Sequence, residues 1–249
     1  VLYSVIILLL FFCFPEVIIS SSTSYYFRTL GINDGLSQST VNAILQDQKG
    51  FMWIGTKDGL NQYDGQECRV FQKENSSLGN NFITALYEDC EGYIWVGTDA
   101  GVYIYNPVQE EFQFLDTEIV SSDEKITRAV TWITSDSQNN IWISVDNQGL
   151  FCYNRGKKNL TKVVSCGESG IANVTHFWFY AGQLWIARYE DNLYVSKDNS
   201  SFNAFNDVDG EDIFKGLVIN SYVEGLHNCL YVGTSKGLME INLTSRNEM

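Results

Sequence analysis

Basic residues are scarce in this chain. Lys and Arg number 16 against 30 Asp and Glu, a formal charge of −14, and no stretch concentrates the cations. Affinity for nucleic acid rests on neutralising phosphates, so nucleic acid is excluded as a partner of this region. Histidine is scarcer still: the two present, His176 and His227, lie far apart in sequence. No G-x-S-x-G, phosphate-loop or HExxH pattern occurs, and the many carboxylates resolve into no recognisable pair. No catalytic residue, metal or cofactor is therefore expected. Cysteine is limited to six, one of them (Cys13) in an apolar N-terminal run. The other five (Cys68, Cys90, Cys152, Cys166 and Cys229) are an odd number without a C-x-x-C pair, which excludes a zinc site and a complete disulfide set. Free, mostly buried thiols are the expectation. No segment carries a convincing helical period.

The N-terminal residues differ from the rest. Val5 to Phe14 is apolar over the length of a signal-peptide core, and Ser20 to Ser24 supplies small residues for cleavage. Pro15 and Glu16 interrupt the run before it is long enough to span a bilayer comfortably. Residues 1–22 are read as an export signal, although the chain opens on Val1 and has no basic n-region.

What the chain has in abundance is repetition. A strand-like run, a turn and a second strand built on Trp recur every 42 to 47 residues: Phe51-Met52-Trp53-Ile54-Gly55-Thr56, then Tyr93-Ile94-Trp95-Val96-Gly97-Thr98. Weaker copies follow around Trp142, Trp185 and Tyr231. In the first copy, Val41 to Gln46 alternates as a strand should, and Asp47-Gln48-Lys49-Gly50 is a turn. Lys57-Asp58-Gly59 and Asp64-Gly65 separate two further short strands. A period of this size with four strands per unit is the sequence mark of propeller blades. The fold class is all-β, a β-propeller. About five four-stranded blades of an incomplete, seven-bladed ring occupy residues 25–249 and start near residues 41, 83, 130, 174 and 219. The segment Tyr25 to Leu30 resembles an outer strand of the kind that closes a ring by strand exchange, and the array is read as the N-terminal piece of a longer protein.

Two positions hold steady across the copies. The second residue of the first strand is small and polar (Asn42, Thr84, Thr131, Thr175, Asn220), and the position two after the Trp or Tyr is small (Gly55, Gly97, Ser144, Ala187, Gly233). Inner strands converge on the axis, so little room is expected there, whereas the indole fills the wedge between sheets.

The pairing of G-x-x-W-I/V-G-T with x-x-G-L/V-x-x-Y, preceded by Asp34-Gly35-Leu36-Ser37, resembles the two-component regulator propeller repeat. The likeness covers residues 25 to 242 and is most specific in the first two copies. It implies the periplasmic sensor half of a hybrid histidine kinase. Such a receptor is a homodimer, reaches the membrane through a C-terminal part outside these residues, and takes oligosaccharides as ligands. No phospho-accepting histidine box is present here.

One position of the first strand departs from scaffold behaviour. Its third residue reads Ala43, Ala85, Trp132, His176 and Ser221, and Arg188 is a charge where three other copies hold Thr. Trp132, His176 and Arg188 are therefore the candidate ligand-binding residues, expected to cluster on one face of blades 3 and 4. An aromatic plate with polar and cationic neighbours suits a sugar, especially an acidic one. Repeat drift, with Trp132 plugging the axis, is the competing reading. The competing functions are a propeller lyase or quinoprotein-type enzyme, and a protein-interaction scaffold.

Overall fold

The computed structural model describes residues 26–115, 125–165, 174–180, 182–188, 193–196, 198, 201–206, 213–226 and 229–242. The export signal read over residues 1–22 lies outside them. The chain divides into two compact units, residues 1–30 and 31–249. In the first, residues 26–30 form no strand, and Tyr26 and Phe27 are exposed. The outer strand expected at Tyr25 to Leu30 is thus not formed over its described part. Apolar alternation marks which residues can sit in a sheet, but a strand exists only where its backbone joins a ladder.

The second unit is a series of antiparallel sheets. Blade 1 is β1 (Val41–Gln46), β2 (Met52–Thr56), β3 (Gly59–Tyr63) and β4 (Cys68–Phe71). Blade 2 is β5 (Ile83–Glu88), β6 (Ile94–Thr98), β7 (Gly101–Asn106) and β8 (Glu111–Phe114). Blade 3 is β9 (Val130–Ser135), β10 (Ile141–Val145), β11 (Gly149–Asn154) and β12 (Asn159–Ser165). Blade 4 is β13 (Val174–Tyr180), β14 (Gln183–Arg188), β15 (Leu193–Ser196) and the short β16 (Asn203–Ala204). Blade 5 has three strands among the described residues: β17 (Ile219–Glu224), β18 (Cys229–Thr234) and β19 (Gly237–Asn242). Each blade pairs its strands in sequence order, and the first strands of successive blades lie against one another, β1 on β5, β5 on β9, β9 on β13 and β13 on β17. The first strands are therefore innermost, the arrangement of a propeller. No helix among the described residues is long and apolar enough to cross a membrane.

The seams between blades hold the core. Trp53 packs on Tyr105 of blade 2, Trp95 on Tyr153 of blade 3, and Trp142 on Phe179 of blade 4, with ring centroids 5.0, 5.4 and 5.2 Å apart. Such contacts add about 0.5–1.5 kcal/mol each beyond the area they bury. Two residues after the Trp the seam closes tightly. A Cβ on Gly97 would lie 2.7 Å from Cγ1 of Val130, and one on Gly55 2.5 Å from Cγ2 of Ile83, each the first residue of the next blade. The small residue expected from convergence is thus required by one specific neighbour. In blade 3 the same place is filled by Ser144, whose Oγ donates to the Val174 carbonyl at 3.2 Å.

Every innermost strand slips by one residue against its partner at the small polar position: between Val41 and Ala43, Ile83 and Ala85, Val130 and Trp132, Val174 and His176, and Ile219 and Ser221. A bulge re-aims the side chains on either side of it. Ile83 packs back into the seam with blade 1, whereas Ala85 joins the seam with blade 3. In blades 3 and 4 the bulged residue bonds within its own sheet, Thr131 and Thr175 donating to the carbonyls of Ser144 and Ala187 at 3.3 Å, whereas Asn42 of blade 1 donates across to the Ile83 carbonyl of blade 2 at 2.8 Å.

The turn after each inner strand carries a second device. Asp47 Oδ1 accepts from the amides of Lys49 and Phe51, and its Oδ2 accepts from Trp53 Nε1 at 2.8 Å. Asp89 and Asp136 repeat this with Trp95 and Trp142, at 2.7 and 2.9 Å. One carboxylate thus closes the turn and satisfies the buried indole. Blade 3 also reaches back to blade 2 here, where Arg155 pairs with Asp89 at 3.2 Å and with Glu91 at 2.8 Å. In blade 4 the equivalent residue is Tyr180, and the buried Nε1 atoms of Trp178 and Trp185 have no hydrogen-bond partner. In blade 5 both members change. Gly225 replaces the acid and Tyr231 the indole, and a Cβ on Gly225 would meet the phenol ring at 2.5 Å.

Candidate functional site

Trp132 and His176 are the third residues of β9 and β13, immediately past the slip in each strand. Their Cα partners are Ser144 and Ala187, the small residues of the second strands. Small partners leave the inner ends of these strands open to large rings, which the bulge turns forward towards the next blade. The two rings meet across the blade boundary, with centroids 5.5 Å apart and planes inclined at 55°. Both side chains are half-buried. Neither Trp132 Nε1 nor His176 Nδ1, each shielded from solvent, has a hydrogen-bond partner. Burial pushes the His176 pKa down, which keeps the imidazole neutral at neutral pH. In blade 2, Thr84 Oγ1 at the bulge is likewise buried and unpaired.

Arg188 ends β14, with Val174 as its Cα partner. Its Nη1 donates to the Tyr194 hydroxyl at 3.1 Å, and the guanidinium carbon lies 5.4 Å from the centre of that ring. Alternation along β14 places Arg188 on the opposite face from Ala187, and Ala187 is the partner of His176. The structure therefore joins Trp132 to His176 and gives Arg188 a contact of its own with Tyr194. The Thr that Arg188 replaces has a structural task elsewhere: Thr56, Thr98 and Thr234 donate to the carbonyls of Gly59, Gly101 and Gly237 at 2.9 Å. Each also accepts an amide of the same hairpin turn.

A depression of about 270 Å³ on blade 1, lined by Phe51, Gln62, Asp64, Glu67, Cys68 and Arg69, shares no residue with this arrangement. Cys68, Cys90 and Cys152 form no disulfide; against the expectation of mostly buried thiols, Cys90 is exposed and Cys68 and Cys152 are half-buried, while Cys229 is buried. Cys166 lies outside the described residues. The orphaned ring nitrogens could not be read from sequence, because they depend on which neighbours the fold supplies. The only sequence signal for them was the departure of Trp132 and His176 from the small residues of the other blades.

Comparison with known proteins agrees with the repeat reading. The family model described as "Two component regulator propeller" matches residues 35–58 and 77–100, the turn and Trp strand of blades 1 and 2. A histidine kinase of Formosa agariphila is 40% identical over 53 residues, 21% of this chain and 4% of that protein. The extracellular domain of a hybrid two-component system from B. thetaiotaomicron superposes with a TM-score of 0.71 at 26% identity, over 89% of this chain and 31% of that one. The extracellular domain of a one-component system from the same organism shares the fold, with a TM-score of 0.66 at 18% identity over 81% and 27% of the two chains. The chain thus spans under a third of these solved ectodomains. Residues 35–58 and 77–100 are two-component regulator propeller repeats, and the chain as a whole is similar in fold to the ectodomain of a hybrid two-component system.

Proposed function

We propose that this propeller is a ligand-sensing module of an exported hybrid two-component receptor, and that an oligosaccharide binds at its axis across blades 3 and 4. The observation that carries the reading is the Trp132–His176 pair: two rings in contact at the inner strand ends, each with a buried nitrogen lacking a partner. A sugar presents an apolar face for ring contact and hydroxyls for such nitrogens, and an unpaired buried polar group is a cost that a ligand can remove. The module binds and does not catalyse. Signalling then comes from a difference in affinity between two receptor states, which in a periplasmic homodimer are two arrangements of the ectodomains. The likeness to a hybrid two-component ectodomain supports the receptor assignment.

The test is calorimetry of the complete ectodomain against a panel of plant and host oligosaccharides, with the wild type and Trp132→Ala side by side. The expected result is saturable binding of at least one member, weakened tenfold or more in the variant. A panel without binding refutes the glycan reading, and equal affinity in the variant refutes the site.

A further inference from the structure

We infer that the axial site selects uncharged oligosaccharides over uronic or sulfated ones. The inference rests on the reading above and specifies the chemistry of its ligand. The second and third residues of the five inner strands, whose side chains flank the slip nearest the axis, are Asn42, Ala43, Thr84, Ala85, Thr131, Trp132, Thr175, His176, Asn220 and Ser221. None carries a fixed charge, in a chain where 46 residues are charged. An anionic sugar entering here would leave water without gaining a cation, and a desolvated charge needs a partner. The net charge of −14 opposes its approach as well.

The groups that do await a partner fit hydroxyls. Trp132 Nε1 can only donate, Thr84 Oγ1 can donate or accept, and His176 Nδ1 does either according to its tautomer. The indole face meets the apolar face of a pyranose or furanose ring. The cation that favoured an acidic ligand is Arg188, and its guanidinium already donates to Tyr194 while lying over that ring. Withdrawing it to meet a carboxylate would break both contacts.

The complete ectodomain is titrated calorimetrically with matched trisaccharides: cellotriose, xylotriose, mannotriose and arabinotriose as neutral probes, trigalacturonate and sulfated lactose-derived trisaccharides as anionic ones. The expected result is binding within the neutral set alone, with affinity unchanged between 50 and 500 mM NaCl, since no ion pair is available to screen. Trp132→Phe keeps the packed ring and removes the donor, and weakens that binding about three- to tenfold, the worth of one hydrogen bond. Arg188→Gln leaves it within twofold. Binding of an anionic probe that is lost in Arg188→Gln, or that falls steeply with salt, overturns the selectivity while leaving the sensor reading intact. Absence of binding by every probe overturns both.

Discussion

Removing the Asp47 carboxylate tests the turn-and-indole device quantitatively. In Asp47→Ala the Lys49 and Phe51 amides and Trp53 Nε1 all lose their acceptor. The two amides belong to an exposed turn and regain water, so their loss is modest. The indole is 1% exposed, and Asp47 Oδ2 is the acceptor of its N–H. A buried donor left unpaired costs about 1–3 kcal/mol, and the broken charge-assisted turn bonds bring the total to about 2–4 kcal/mol. For a unit of this size each kcal/mol lowers the melting temperature by about 2–4 °C, so a fall of about 5–15 °C is expected in far-UV circular dichroism. Much of that loss depends on the indole nitrogen. In a Trp53→Phe background there is no donor to orphan, and the same Asp47→Ala change is expected to cost about 1–2 kcal/mol less. Asp47→Gly with Trp53→Tyr, the combination blade 5 already uses, is expected to lose less than the two single changes together. A coupling below about 0.5 kcal/mol in the Asp47/Trp53 cycle would refute the idea that the carboxylate holds the indole.

Three further outcomes are expected. Gly97→Ala sets a methyl against Val130 and lowers stability by about 1–3 kcal/mol, an effect eased by adding Val130→Ala; chemical denaturation measures both, and a neutral single variant would contradict the close seam. Burial holds His176 below its ordinary pKa, so the unfolded chain binds its proton more tightly, and this residue favours unfolding once the pH falls through the unfolded value near 6.5. The melting temperature of His176→Asn should therefore fall less steeply than that of the wild type from pH 7 to pH 5.5, and parallel curves would exclude the residue as a contributor. Burial pushes the Cys152 thiol up to about 12, whereas Cys90 is exposed. At pH 8 iodoacetamide should label Cys90 in the native protein and reach Cys152 only after unfolding, with peptide mass spectrometry as the readout.

The blade plan was legible because packing repeats wherever geometry repeats. Trp53, Trp95, Trp142 and Trp185 all stand in the second strand and are all buried, as the recurring sequence required. The small residue after them was also legible, although its reason turned out to be one residue of the following blade. The slip at Asn42 and its equivalents was not. Small polar residues also suit turns and edges, and only the pairing register distinguishes a bulge. The spacing from Asp47 to Trp53 was visible as a pattern, but the bond it encodes was not, because residues six apart meet only when the turn folds back. For the site, Trp132 and His176 stood out as departures from Ala. Arg188 was placed by the end of its strand alone. Its neighbour Ala187 already implied the other face of the sheet, since adjacent residues in a strand point opposite ways.

The extra residue in each innermost strand has a consequence for anyone building artificial rings from this sequence. Force Thr84 into a regular ladder, and Ile83 and Ala85, two residues apart, would fall on one side of the sheet, stripping the preceding wedge of its filler and crowding a branched chain into the following one. The unit that can be copied is therefore longer than its aromatic landmarks. A tandem design that transplants the tryptophan, glycine and threonine but pairs the extra residue as an ordinary rung would turn one flank of every sector the wrong way.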